Sequence, residues 1–285
     1  MVAPGRDPES GAMTESAVAA AADQAVRAAA ERLHGALVAN RPCAPVRDLI
    51  GERDITLAYA VQQQLNAHRL AAGARVVGRK IGATSHAVQQ QLGVDTPDLG
   101  VLFDDMEYDA TAPVDISGLL QPKVEGEIAF VLREDLADGA LDLGQVAAAV
   151  EYAVAAIEIC DSRIADWDIS FADTVADNAS AGGYVLGTER RTLADGFVPK
   201  DAAMTMTVTG QEDSVGTGAA SLGDPLVALQ WLARQARDLG DPLRAGQVVL
   251  SGALGPMRPA APGAAVELTV DGLGSVSLTF SKERS

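Results

Sequence analysis

Residues 122–132, PKVEGEIAFVL, set the tightest condition on the fold. The run reads as a strand, yet it carries Glu125 and Glu127 two positions apart. Side chains alternate faces along a strand, so the two acids point the same way, with Ala129 and Val131 beyond them. Val124, Gly126, Ile128 and Phe130 take the other face. Neighbouring carboxylates on an apolar background repel each other and resist burial. Such a strand is tolerable at a solvated edge, or where a cation meets both acids.

A third acid, Glu158 in AAIEICDSRI, has small or apolar neighbours and belongs in the interior. Three carboxylates meeting without a cation would raise one another's pKa. A divalent ion would remove the conflict, and an oxygen-only donor set suits a hard ion, Mg²⁺ or Mn²⁺. Spacing alone does not bring Glu158 to the pair. The other reading is a half-exposed strand with its acids on the wet face.

The rest of the chain alternates clear helix and strand signals. Residues 1–12, rich in Pro, Gly and charge, read as a disordered tail, and 13–78 as a helical N-terminal region. Its second helix is capped by Asp54 and closed by Gly73. Residues 79–285 read as one β-rich catalytic domain continuous with it. Within that domain Ser85 caps a short helix. DTPDLGVLFDDM is expected to be a loop, because Pro and Gly punctuate it. A helix over 144–152 is expected to become a strand at 153–159. DPLVALQWLARQARDLG is an amphipathic helix with Asp224 as N-cap and Gly240 at its end. The expected class is α+β, a mixed sheet with an N-terminal helical part.

Charge narrows the function. With 39 acids against 22 basic residues, the net charge is −17, and no Lys/Arg-rich stripe is present. That disfavours nucleic acid and anionic membrane as partners. Aromatics are only 4% of a chain that is 48% hydrophobic, so the core must be aliphatic. Cys43 and Cys160 make no disulfide framework and read as reduced thiols of a cytoplasmic protein. No apolar run is long enough to span a bilayer.

Six stretches in order carry a family likeness: GRKIGATSHAVQQQLGVDTPDLGVLFDDM, PKVEGEIAFVL, AIEICDSRIADW, DTVADNASAGGYVLG, LGDPLVALQWLA and LSGALGPM. Over roughly residues 50–282 the chain resembles the 2-keto-4-pentenoate hydratase family. That family lies in the fumarylacetoacetate hydrolase superfamily, which also contains the 4-oxalocrotonate decarboxylases. The likeness implies a rolled, barrel-like mixed sheet of the superfamily's C-terminal type. It implies Mg²⁺ or Mn²⁺ held by Glu125, Glu127 and Glu158. Lys80 and Asp98 fall on catalytic positions, and Ser180 and Ser251 become candidates for substrate binding. The implied reaction adds water to 2-hydroxypenta-2,4-dienoate, or an analogue, to give a 4-hydroxy-2-oxo acid. A homo-oligomer, often pentamer-based, and a complex with a pathway decarboxylase or aldolase are the implied assemblies.

Each site residue also has a plain reading: a surface lysine at 80, a turn-forming acid at 98, and a pocket wall at 251. Asp104 and Asp105 are either supports of the site or a solvated loop. His34, His68 and His86 lack metal-ligand spacing. GTGAAS at 216–221 lacks the lysine of a phosphate loop. Decarboxylation of 2-oxo-3-hexenedioate is the nearest competing reaction. It needs a cation for a second carboxylate, and beyond Lys80 the matched stretches offer only Arg79, Lys123 and Arg163. Acylpyruvate hydrolysis wants a His–Glu pair that is absent, and a non-catalytic subunit should have lost a ligand or Lys80.

Overall fold

The computed structural model describes residues 15–282. The expected tail at 1–12 lies outside them. Three helices lead: α1 (Glu15–Val38), α2 (Arg47–Ile50) and α3 (Ile55–Ala71). Then come β1 (Val76–Gly82), α4 (His86–Leu92), β2 (Asp98–Phe103), β3 (Pro122–Leu132), α5 (Leu143–Ala149), β4 (Val150–Asp161), α6 (Phe171–Ala176) and β5 (Ala181–Leu186). The last third holds β6 (Ala203–Val208), β7 (Ser214–Thr217), α7 (Pro225–Asp238), β8 (Val248–Leu250), β9 (Arg258–Pro259), β10 (Ala265–Val270) and β11 (Gly274–Thr279).

The larger sheet runs β2-β1-β8-β3-β4-β5, with β9 also on β3. It is mixed: β1 and β8 are parallel, the other pairs antiparallel. A four-stranded sheet, β11-β10-β6-β7, packs across it. Gly126 of β3 faces that sheet so closely that a Cβ would meet Leu268 Cδ1 at 2.6 Å. Val124, Ile128 and Phe130 join Met204, Met206, Val266 and Leu268 in the main core between the sheets. On the opposite face of β3, Ala129 and Val131 join Val154, Ala156, Tyr184, Val248 and Leu250 in a second apolar cluster. The face that carries Glu125 and Glu127 is therefore apolar beyond them, and β3 has strands on both sides. No solvated edge is available to these acids.

The N-terminal helices extend the main core: Ala29, Ala30, Leu33, Ala58, Val61 and Leu65 belong to the same buried cluster as Val124, Ile128 and Phe130. Alanines at 29, 30 and 58 are fully buried, letting α1 and α3 approach closely. His34 and His68 stack between them at 4.6 Å, a structural contact. The Asp54, Ser85 and Asp224 caps form as expected, each side chain accepting a backbone N–H of its helix's first turn.

Two local expectations need correction. The segment at Asp98 is a buried strand, β2, pairing antiparallel with β1. Its Gly100 serves close packing instead of a turn: a Cβ there would meet Asn178 O at 2.5 Å and Lys80 Cγ at 3.0 Å. The helix before Glu158 ends at Ala149, so β4 begins at Val150 instead of Ala153. No helix among the described residues is long and apolar enough to cross a membrane.

Candidate active site

Register brings the acids together. Glu125 of β3 and Glu158 of β4 are direct cross-strand partners. Cys160, two residues beyond Glu158, shares its face. Glu125, Glu158 and Cys160 each place a donor atom within 4.8 Å of the others. Glu127 stands against Glu158 outside that tight triad, its Oε2 accepting the Gly252 N–H at 2.8 Å. Glu127 and Glu158 are fully buried, and Glu158 Oε1 meets the Lys80 ammonium while Glu158 Oε2 has no hydrogen-bond partner. Burial first, then the Glu158 charge, pushes the Glu125 carboxyl up to about 7, against the pull of Lys80. Burial and the same neighbours hold Glu127 well above its usual range. Buried carboxylates packed this closely, with oxygens left unpartnered, suit a divalent cation.

Lys80 reaches the cluster from β1. Its Nζ lies 3.0 Å from Glu158 Oε1 as an ion pair and donates to Ala179 O at 3.0 Å. Burial disfavours the ammonium, but Glu158 and the other anions hold its pKa well above the ordinary value, so it stays charged. Ala179 O is presented by an unusual turn: Asn178, Ala179 and Ser180 all have left-handed φ, at 54°, 50° and 53°. Such residues cost roughly 1–3 kcal/mol each and need firm anchoring. Asn178 provides it, accepting Val101 N–H at 2.8 Å and donating to Val101 O at 2.9 Å. Asp177 adds a buried pair with Arg163. The turn leaves Ser180 Oγ buried, facing the cavity and without a partner.

Asp98 completes the polar end. Its Oδ2 accepts the Thr174 hydroxyl at 3.3 Å, while Oδ1 has no partner. Burial raises its pKa, with Lys80 and Thr174 opposing. A Cβ on Gly82 would lie 2.1 Å from Asp98 Oδ1 and 3.5 Å from Lys80 Nζ, so only glycine lets the acid and the amine share this corner.

These groups open onto a cavity of about 700 Å³. Lys80, Asp98, Glu125 and Ser180 line one part; Val88, Leu92, Trp167, Ile169, Val215 and Met257 supply apolar wall. Lys80 is the only cation among the lining residues described. Arg79 projects to the other face of β1 and pairs with Asp241. Lys123 is covered by the Trp167 ring, its Nζ 4.1 Å from the centroid. Trp167 is fixed in turn by its indole N–H, which donates to Gln121 O at 3.1 Å.

The structure does not bring Ser251 to the cavity with the other candidate residues. Ser251 is fully buried and donates to Ile128 O at 2.7 Å, tying the end of β8 to β3. Asp104 and Asp105 are surface partners of Arg75 and Arg69. Thr174, Trp167, Cys160 and Gly82 were not marked by the sequence. For Cys160 the signal was available, since it stands at i+2 from Glu158 in a strand.

A rolled mixed sheet that sets a buried carboxylate cluster and a lysine on one cavity is the fold and site of an enzyme. The family model for the fumarylacetoacetate (FAA) hydrolase C-terminal region matches residues 74–281, and the chain belongs to this family. Within it, the chain is 51% identical to TodF product hydratase of Pseudomonas putida F1, covering 90% of this chain and 96% of the relative. It is 50% identical to 2-keto-4-pentenoate hydratase of Burkholderia vietnamiensis, covering 91% and 99%. Among solved structures, 4-oxalocrotonate decarboxylase from Pseudomonas putida G7, complexed with magnesium and adipate, superposes with a TM-score of 0.83 at 32% identity, covering 90% and 97%.

Proposed function

We propose that the chain is a divalent-metal-dependent hydro-lyase that hydrates 2-hydroxypenta-2,4-dienoate, or an analogue with an apolar substituent, to a 4-hydroxy-2-oxo acid. High identity to named hydratases over nearly the full length supports the reaction class. One structural observation favours it over decarboxylation of a dicarboxylate. The cavity offers Lys80 as its single lining cation among the described residues, while Arg79 pairs with Asp241 and Lys123 is covered by the Trp167 ring. A second substrate carboxylate would meet Val88, Leu92, Trp167 or Ile169 and lose its hydration without a partner.

Glu125, Glu127 and Glu158 would hold Mg²⁺ or Mn²⁺. When bound, the ion supplies Lewis acidity to the oxo-acid end of the substrate. The remaining work falls to the chain's own groups. Lys80, kept charged by Glu158, stabilises negative charge that develops at the oxo-acid end. Ser180 Oγ donates to the substrate carboxylate, which would satisfy a hydroxyl that otherwise has no partner. Asp98, with its pKa raised and Oδ1 free, accepts or returns a proton at the diene carbons, or orients water. The apolar wall excludes bulk water, which strengthens these interactions. The working form in this reading is a homo-oligomer.

The test supplies the dienol and 2-oxo-3-hexenedioate separately to metal-loaded enzyme, following dienol absorbance and CO₂ release. Hydration without CO₂, abolished by chelator and by Glu125→Gln, is expected. Faster CO₂ release from the dicarboxylate would replace this reading with the decarboxylase one.

A further inference from the structure

We propose that Cys160 gives the carboxylate centre a second, sulfur-containing donor set, Glu125, Glu158 and Cys160, which takes a thiophilic divalent cation such as Co²⁺, Zn²⁺ or Cd²⁺. The inference rests on reading Glu125 and Glu158 as metal ligands and adds a ligand that this reading does not use.

The geometry singles out this residue. Cys160 Sγ donates to Glu125 Oε2 at 3.5 Å, and the three donor atoms fall within 4.8 Å of one another. Donor atoms around a tetrahedral zinc lie roughly 3.3–3.8 Å apart, given bonds near 2.0–2.3 Å. Small side-chain rotations close that difference. A separate observation points to a ligand: Glu158 is fully buried, and its Oε2, unlike the Oε1 that meets Lys80, has no hydrogen-bond partner. Cys160 is buried at the cavity wall, so an ion entering the cavity reaches it.

The two donor sets share Glu125 and Glu158 and differ in the third member. Glu127 completes an all-oxygen set, which suits a hard ion. Cys160 completes a mixed set, which favours borderline and soft ions, since sulfur binds them more strongly than carboxylate does. Binding through sulfur releases the thiol proton to solvent and leaves a thiolate ligand. Lys80 beside Glu158 and Lys123, the register partner of Cys160, flank the set with positive charge. Because the two sets share Glu125 and Glu158, a thiophilic ion and Mg²⁺ exclude each other.

Chelator-stripped full-length protein is titrated with Co²⁺, Cd²⁺ and Mg²⁺, reading absorption for Co²⁺ and calorimetry for the others. The wild type is expected to show a near-ultraviolet sulfur-to-cobalt charge-transfer band. Cys160→Ser should lose the band and lower the ratio of Cd²⁺ to Mg²⁺ affinity by about tenfold or more. Glu127→Gln should weaken Mg²⁺ binding and keep the band. Co²⁺ bound to the wild type with no sulfur band overturns the inference without needing any variant, as does an unchanged Cd²⁺ to Mg²⁺ ratio in Cys160→Ser. Failure of the wild type to bind any of the three ions would instead overturn the assignment of the glutamates.

Discussion

Gly82 and Asp98 are register partners at the end of the β1–β2 ladder, and the space between them is too small for one methyl group. A Cβ on Gly82 would sit 2.1 Å from Asp98 Oδ1, so Gly82→Ala must push the carboxylate aside. Displacing a reacting group by an ångström costs about 10²-fold in rate. Gly82→Ala is expected to lower kcat by about that factor while circular dichroism stays native. A variant with wild-type kcat would remove Asp98 from the chemistry.

Lys80→Met tests the balance of charge around Glu158. Without the ammonium 3.0 Å from Oε1, the buried carboxylate loses its protein cation. Removing one partner of a buried pair costs about 3–5 kcal/mol, so metal-free Lys80→Met should unfold at clearly lower urea. Saturating Mg²⁺ should recover most of that loss while activity stays absent. Denaturation curves with and without Mg²⁺ decide the matter. Equal Mg²⁺ stabilisation in both proteins would show that the ion does not bind near Glu158.

Two serines should respond in opposite ways. Ser180→Ala removes a hydroxyl with no partner in the protein, so stability should move by less than about 0.5 kcal/mol while KM rises. Ser251→Ala deletes the 2.7 Å bond to Ile128 O and should cost about 1–2 kcal/mol with KM unchanged. Thermal melts paired with steady-state kinetics read both. A raised KM in Ser251→Ala alone would reverse the assignment.

Asp177 gives a pH dependence with a defined sign. Burial pushes its carboxyl up to about 6 from 3.8, against the pull of Arg163. The folded protein thus binds this proton more tightly than the unfolded chain does. The resulting stability is fully present below pH 3.8 and is lost as the pH rises to about 6. Asp177→Asn should flatten the stability curve within that window, although leaving Arg163 unpaired makes the variant less stable throughout. Denaturant midpoints at stepped pH measure the difference, and parallel curves would contradict it.

Trp167 separates Lys123 from the cavity. Trp167→Leu removes the ring that covers the ammonium at 4.1 Å. Competitive inhibition by a dicarboxylate such as adipate should then strengthen relative to a monocarboxylate of similar length. No change in that ratio would mean Lys123 cannot reach the cavity even when uncovered.

Much of this centre was legible because strand alternation is rigid. The i and i+2 rule put Glu125 and Glu127 on one face, but only the β3–β4 register could bring Glu158 opposite Glu125. Register depends on long-range pairing, which a single sequence does not display. Asp98 was misplaced on a loop because its Pro and Gly neighbours imitate a turn. There the Gly is required by the approach of Asn178 and Lys80, a tertiary cause. The backbone tie of Ser251 was not legible for a related reason: its acceptor, Ile128 O, lies far away in sequence. The left-handed turn at 178–180 had no glycine to announce it.

The cavity wall has a consequence for how this scaffold diversifies. The acidic groups sit on paired strands whose spacing the ladder dictates, whereas Val88, Leu92, Val215 and Met257 lie on a short helix, an outer strand and a connecting segment. Head and tail of a bound molecule are therefore read by separately mutable pieces of chain. Swapping the second set for larger or smaller aliphatic residues should retune which homologue is accepted and leave the reactive end intact.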